Sequence, residues 1–278
     1  MTFDAFVDNK TADAVKGRPA GFATEFDRAS GDLSAIGNAW SRQLFDGPFY
    51  LSPVPSPTRP ACSLVFVQSK DGNTGARNPA SLGGGDTDTH LIYEGLSRVG
   101  ADAVLAGAET IRGGDVVFSV WHPELVELRA SLGKPRHPIQ IIATLRGLDL
   151  DHGLLFNVPE IQVVVITLGD GAHLMRPALA SRPWITPVVM QQPTDLPWAF
   201  ERLRELGIER ISAVGGRRIA AQMIDAGLVQ DVYLTTSPKT GGEPDTLFYP
   251  RPLNGEVIVR KLGRGNEAGV IFEQVGLR

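Results

Sequence analysis

The sequence is short of cysteine, of long apolar runs and of excess charge, and each shortage excludes a class of protein. Its 278 residues hold one cysteine, Cys62, so no disulfide closes within the chain and no cysteine-built zinc site forms. Cys62 lies in the apolar run Ala61-Cys62-Ser63-Leu64-Val65-Phe66-Val67, the setting of a buried structural thiol. No run approaches the roughly 18 apolar residues of a membrane span. Met1 to Lys10 mixes Asp4, Asp8 and Lys10 with Phe3 and Phe6, and lacks the basic start and apolar core of a signal peptide. A cytoplasmic location is expected. The formal net charge of -4 gives no general pull towards nucleic acid or an anionic membrane.

Several familiar motifs are missing too. There is no Walker A loop, no HExxH and no GxSxG. The histidines, His90, His122, His137, His152 and His173, are never three or four residues apart, so a protein-built metal site is not expected. Each is read as a surface or loop residue. Residues 263–268 spell GxGxxA, but between two strands. The motif works by bringing a pyrophosphate to a helix N-terminus, and without that helix the match is a coincidence.

What is present reads as a soluble globular protein, 42% hydrophobic and 21% charged, long enough for one large domain or two small ones. From residue 61 the chain alternates. Short β-branched runs at 62–68, 102–106, 138–144, 161–167, 186–190, 210–214 and 231–237 read as strands. Helical periodicity is clearest over 195–206 and 217–226, and weaker over 87–98, 123–132 and 171–180. Apolar strands alternating with helices predict an α/β fold, a mostly parallel sheet covered on both faces. Runs 256–261 and 269–275 are too close for a crossover helix, so the C-terminal edge is predicted to be an antiparallel hairpin. Residues 1–60 differ: weak periodicity, a short helix around 32–44, and prolines at 48, 53, 55, 57 and 60. They are read as an arm or cap on a main domain spanning 61–278. Phe45, Phe49 and Tyr50 give that arm something to pack with.

Three loops at predicted strand ends carry the chemistry. The first is Gln68-Ser69-Lys70-Asp71-Gly72-Asn73-Thr74-Gly75, polar and glycine-containing, at a strand's carboxyl end where open α/β sheets place ligands. A plain Asp-Gly turn is the other reading. The second is Gly107-Ala108-Glu109-Thr110-Ile111-Arg112-Gly113-Gly114-Asp115. Gly107 permits close backbone approach, Thr110 can bond a phosphate oxygen, and Arg112 can bind a phosphate or pair with Asp115. The third is Val214-Gly215-Gly216-Arg217-Arg218, a compact turn from a strand into a helix. Three such loops on one sheet fit a single extended ligand with several phosphates, such as a dinucleotide.

In this order the loops resemble the reductase domain of bacterial riboflavin biosynthesis, the C-terminal half of the bifunctional deaminase–reductase, within the dihydrofolate reductase-like superfamily. The matching residues are Ser69-Lys70-Asp71-Gly72, the run Ala101 to Arg112 (ADAVLAGAETIR), Val214-Gly215-Gly216-Arg217, Leu228-Val229-Gln230-Asp231 and Pro238-Lys239-Thr240-Gly241-Gly242. They cover about 61–278, and the second is the specific one. The resemblance implies a three-layer α/β/α reductase that uses NADPH and forms a homodimer. It places Gly107, Ala108, Thr110 and Ile111 on the NADPH pyrophosphate, with Val214, Gly215, Gly216, Arg217 and Arg218. It places Thr144 and Arg146 at the 2′-phosphate and Thr167 near the adenine. A guanidinium holds two oxygens of a dianionic phosphate at once. Ser69 and Asp71 are then the catalytic candidates, Asp71 first as proton source, with Asp86 and Glu94 in reserve. Ser69, Asp71, Thr74, Asp86, Arg112 and Asp115 would meet the substrate.

The chain departs from the family pattern on the substrate side. The loop after Arg112 reads Gly-Gly-Asp-Val-Val-Phe-Ser-Val-Trp and carries no arginine before Arg129. The glutamate and proline of E-G-G-P are Val214 and Arg217, and the D-E pair is Gln230-Asp231. No deaminase domain is expected in residues 1–60. The leading expectation is an NADPH-dependent reductase of a small heterocycle, similar to 5-amino-6-(5-phosphoribosylamino)uracil reductase. The same fold acting on a pterin-like or other carbonyl or imine compound, and a non-catalytic nucleotide-binding protein, stand beside it. A Rossmann dehydrogenase is disfavoured by the terminal hairpin.

Overall fold

The computed structural model describes residues 2–28, 31–76, 79–112, 114–251, 257–265 and 269–277. Residues ahead of the first sheet-core strand form α1 (Phe3–Lys16), β1 (Phe22–Asp27), β2 (Ser34–Ile36), α2 (Ala39–Leu44) and β3 (Phe49–Leu51). Then come β4 (Ala61–Gln68), a single turn α3 (Gly85–Thr87) that continues into a π-helix Asp88–Leu96, β5 (Ala103–Gly107), α4 (Ala108–Ile111) and α5 (Pro123–Ser131). The chain continues through β6 (Ile139–Ala143), β7 (Val163–Leu168), α6 (Gly169–Leu179), β8 (Ile185–Met190), α7 (Leu196–Glu205), β9 (Arg210–Ala213) and α8 (Arg217–Asp225). It closes with β10 (Asp231–Thr236), β11 (Val257–Gly265) and β12 (Ile271–Leu277).

Ten strands make one sheet in the order β1-β11-β12-β10-β4-β9-β5-β6-β7-β8. From β10 to β8 every neighbouring pair is parallel. β12, β11 and β1 are added antiparallel at one edge. The expected α/β fold and C-terminal antiparallel pair are therefore present. The short parallel strands alternate faces. Val104, Ile142 and Val165 enter one core with the π-helix residues Leu91 and Leu96, while Leu105, Ile141 and Val164 enter a second with Phe200, Leu203 and Met223. Two buried faces are why these runs read as continuous apolar segments. Cys62 is buried in the second core, and burial pushes its thiol up to about 12.

Residues 1–60 differ from the sequence reading in detail. The segment 32–44 is not one helix: Ser34–Ile36 is a strand, and α2 starts only after Asn38, whose side chain caps Ser41 in a reciprocal capping box. α1 is 14 residues long and buries only Phe6 and Ala14, so its apolar stripe is thin. β1 adds to the main sheet beside β11. Phe45 and Phe49 are fully buried, with ring centroids 4.9 Å apart and Phe272 of β12 5.5 Å from Phe45. Such pairs add about 0.5–1.5 kcal/mol beyond burial, which fastens this segment to the sheet.

One histidine expectation fails. His90 is buried within the π-helix, where Glu94 Oε2 lies 3.5 Å from its Nδ1, because its ring fills a place under Gly17. The GxGxxA spelling begins inside β11, and residues 266–268 fall outside the described residues, as does the start of run 256–261. Among the described residues no helix is long and apolar enough to cross a membrane, and no three His, Cys, Asp or Glu side chains are grouped to hold a metal.

Candidate active site

All three loops lie at the carboxyl ends of the parallel strands, and two of them converge. A Cβ added at Gly107 would come 3.7 Å from Gly216 Cα, and one added at Gly215 would come 3.7 Å from Thr110 Oγ1. Gly215 and Gly216 have φ of 122° and 83°, a turn that only glycine enters without strain. Gly107 and Gly216 are the N-cap positions of α4 and α8, and neither helix start receives a side-chain cap. The start of α8 thus has no side-chain cap and lies against Gly107, with Thr110 and Arg218 exposed nearby. Ala108 is half-buried, Val214 is buried below the turn, and Ile111 packs on the core.

The second anchor lies two strands away. The loop after β6 touches the start of α6: a Cβ on Gly147 would lie 2.8 Å from Gly171 O. α6 also begins without a side-chain cap. Arg146 is exposed in this loop and has no ion pair among the described residues. Thr144 Oγ1 donates to Gly147 O at 3.0 Å and shapes the turn. Thr167 is fully buried and its hydroxyl lacks a partner among the described residues.

The first loop is built differently, from β4 and the segment after β10. Ser69 is buried and its hydroxyl donates to Gly241 O at 2.8 Å. Asp71 Oδ2 accepts from Gly241 N at 2.9 Å. Thr74 Oγ1 donates to Thr246 O at 2.6 Å, and Gly75 N donates to Thr246 Oγ1 at 2.9 Å. Asp71 and Asn73 line an open cleft of about 460 Å³ with Asp245, Leu247 and Pro250. Arg217 crosses from the double-glycine turn to this side. Its Nη1 lies 2.5 Å from where a Gly75 Cβ would be, and its Nη2 lies 4.0 Å from Glu243 Oε2.

A family model for the RibD C-terminal domain matches residues 60–263. The chain belongs to that family. A curated relative, 2,5-diamino-6-ribosylamino-4(3H)-pyrimidinone 5′-phosphate reductase of Methanothermobacter thermautotrophicus, is 25% identical over 67% of this chain and 82% of its own length. Among solved structures, a pyrimidine reductase-like protein of Corynebacterium diphtheriae aligns with a TM-score of 0.62 at 21% identity, covering 81% of this chain and 95% of that one. The riboflavin biosynthesis reductase of Saccharomyces cerevisiae aligns with a TM-score of 0.56 at 16% identity, over 81% and 93%. The family match and the curated relative support a reductase of this kind.

Within this RibD C-terminal domain, several residues expected at the substrate bond to other parts of the chain. Arg112, the C-cap of α4, pairs with Glu109 at 2.7 Å rather than with Asp115, because Glu109 lies one turn before it. Asp115 accepts from Leu154 N at 2.9 Å. Asp86 accepts from Arg18 N at 2.7 Å. Glu94 is buried and accepts from the Trp121 and His122 amides, both at 3.1 Å. It thus pins the end of the loop that follows Arg112, and Val117, Phe118, Val120 and Trp121 of that loop belong to the core.

The sequence reading missed Asp88, the first residue of the π-helix. Among the described residues its Oδ1 has no hydrogen-bond partner and is sealed from solvent, and so is Thr235 Oγ1 on β10. Burial raises the Asp88 carboxyl to about 6, against a smaller opposing influence from the Thr235 hydroxyl.

Proposed function

We propose that the chain is an NADPH-dependent reductase of a small heterocyclic substrate, similar to the phosphoribosylaminopyrimidine reductases of riboflavin biosynthesis. The convergent glycine cradle of Gly107, Gly215 and Gly216 carries this reading. It offers uncapped amides to a pyrophosphate, with Thr110 and Arg218 beside it. Arg146, exposed and unpaired next to the uncapped start of α6, is the receptor for a 2′-phosphate. Thr144 holds that turn, and Thr167 lies under it. Bound NADPH supplies hydride. The protein's part is to hold the two reacting carbons together, exclude water and provide a proton.

Ser69, Asp71 and Thr74 shape the substrate side through their bonds to residues 241–246. The loop after Arg112 favours a second reading for the substrate alone. Its apolar residues are core, and its described part brings no cation forward for a ribose phosphate. A carbonyl or imine compound without that phosphate fits the same cofactor site. A homodimer and a cytoplasmic setting belong to this reading, and light scattering of the purified chain tests the first.

The deciding experiment is a fluorescence titration with NADPH and NADH, in wild type and in Arg146→Ala. Tight NADPH binding, weak NADH binding and a selective NADPH loss in the variant are expected. Binding of neither dinucleotide would overturn the reading.

A further inference from the structure

We propose, independently of the dinucleotide reading, that His90 and His122 form an acid-operated latch that releases residues 17–20 and α2 from the domain. Both rings lie on the seam between the N-terminal segment and the rest of the chain. His90 comes from the π-helix and His122 is the N-cap residue of α5, with ring centroids 5.4 Å apart. Gly17 closes over His90: a Cβ there would come 2.5 Å from His90 Nε2. Trp40 of α2 stacks on His122, with centroids 4.3 Å apart and planes at 24°. Each part of the segment thus rests on one imidazole. Short bonds fasten it on either side. Arg18 N donates to Asp86 Oδ2 at 2.7 Å, Ala20 N to Thr87 Oγ1 at 2.8 Å, and Asn38 Nδ2 to Glu124 O at 2.9 Å. All of these N-terminal donors precede the family match.

The pair suits neutral rings. The Nδ1 atoms of His90 and His122 are both sealed from solvent, and neither has a hydrogen-bond partner among the described residues. A neutral ring hides such a nitrogen far more cheaply than a charged one. One carboxylate is within reach. Glu94 Oε2 lies 3.5 Å from His90 Nδ1, but that oxygen already accepts from the Trp121 and His122 amides, and Glu94 also faces the Arg136 charge. The other charged groups on the surrounding elements are Asp86 and Asp88 on the π-helix, Lys16 and Arg18 before and within 17–20, Arg42 on α2, Glu124 on α5, and Arg136 and His137 behind Trp121. Asp86 accepts from Arg18 N, Glu124 from Asn38, and Lys16 pairs with Asp13 at 3.0 Å, while Asp88 is turned to Thr235. The seam therefore offers one shared negative charge to two imidazoles. Trp40 tolerates one charged ring on its face, and nothing compensates a second.

The docked segment holds at most one proton on the pair, and the second binds only when the segment lifts and admits water. Burial, then His90, keep His122 below its ordinary value, with Glu94 opposing. A histidine lowered in the docked state favours docking above its ordinary value, about 6.5, and loses that contribution as the pH falls. Release has a defined reach. Asp86 and Thr87 follow the Gly83-Gly84-Gly85 turn at the foot of the π-helix. A Cβ on Gly83 would come 2.8 Å from Lys239 Cδ, in the segment that bonds Ser69 and Asp71 through Gly241. Lifting residues 17–20 unfastens that turn from its outer side.

The test is backbone hydrogen exchange of the full chain, read by mass spectrometry from about pH 8 to about pH 5 and normalised at each pH to the unfolded-peptide rate. Protection over 17–20 and 38–44 should fall by at least about tenfold across that range, while β6 and β7 keep theirs. His122→Gln, which takes no proton, should stay protected at the acid end. Glu94→Gln should open at a higher pH than wild type, because the pair then has no counter-charge. A second measurement needs no variant: in a proton NMR titration, His90 and His122 should titrate together and below the exposed His173. Protection over 17–20 and 38–44 that is constant with pH overturns the proposal, and so does an equal acid loss in His122→Gln. Two rings that titrate independently at the His173 value overturn it as well. Should a variant fail to fold, the wild-type exchange and NMR results decide alone.

Discussion

The two halves of the carboxyl edge answer different questions. Around β5, β6, β7 and β9 the loops are bare: α6 and α8 start without caps, and Arg146 and Arg218 stand exposed. Around β4 and β10 the loops satisfy one another. Ser69 and Asp71 bond Gly241, and Thr74 and Gly75 bond Thr246. In the proposed dinucleotide reading, a half that holds several phosphates leaves its donors open, because every internal bond would compete with the ligand. In the same reading, the half that shapes the substrate can settle its own backbone first. Arg217 joins the two, rising from the bare turn and resting on Gly75.

The largest expected effect is on the bare half. Gly171→Ala would drive a Cβ into Thr167 Oγ1 and to 2.6 Å from Gly147 N, both in packed surroundings. It should cost about 1–3 kcal/mol, seen as a lower melting temperature, and abolish NADPH binding by displacing Arg146. Next comes Arg146→Ala itself, which should weaken NADPH by about 10- to 100-fold with no change in melting temperature or NADH affinity, since its charged bonds form only with the ligand. Equal loss for both dinucleotides would show that the halves are not divided in this way.

The pH dependence of stability separates the halves from the far end of the sheet. The folded Asp88 value, about 6, lies above the ordinary carboxylate range. Its stability contribution is complete below that range and is lost as the pH rises through about 6. Asp88→Asn should therefore be the more stable protein at pH 7, by about 1–2 kcal/mol once partial exposure is allowed for. His137 runs the other way. Burial, then the Arg136 and Arg129 charges, lower it to about 4. Its contribution is present above the ordinary histidine value and lost as the pH falls towards 4, so His137→Gln should flatten the acid limb of a melting-temperature profile. The smallest effect is on the settled half. Thr74→Val removes one bond to Thr246 O and should cost about 1 kcal/mol in denaturant unfolding, leaving NADPH affinity unchanged.

This division also explains what the sequence could show. Strand runs such as 62–68, 210–214 and 231–237 match β4, β9 and β10 because two buried faces leave a continuous apolar word. The glycine loops were legible because their chemistry is written locally, as glycines beside arginines. Asp88 was not. Asp86 and Asp88 stand two residues apart, and a helical period could choose between them only if the winding were regular; the π-helix shifts that phase. The bonds of Ser69, Asp71 and Thr74 go to residues about 170 positions later, so no local pattern records them. α1 was missed because a helix that buries two side chains leaves almost no stripe.

The pairing of β1 with β11 has a consequence in time. Phe22 lies opposite Gly265, so this edge strand is synthesised well over 200 residues before its partner. The ribosome delivers the edge strand long before there is anything for it to pair with. Pairings this distant in sequence close slowly, and an unpaired strand waiting for its neighbour is open to other chains. A strand made so long before its partner is thus among the last to find its place.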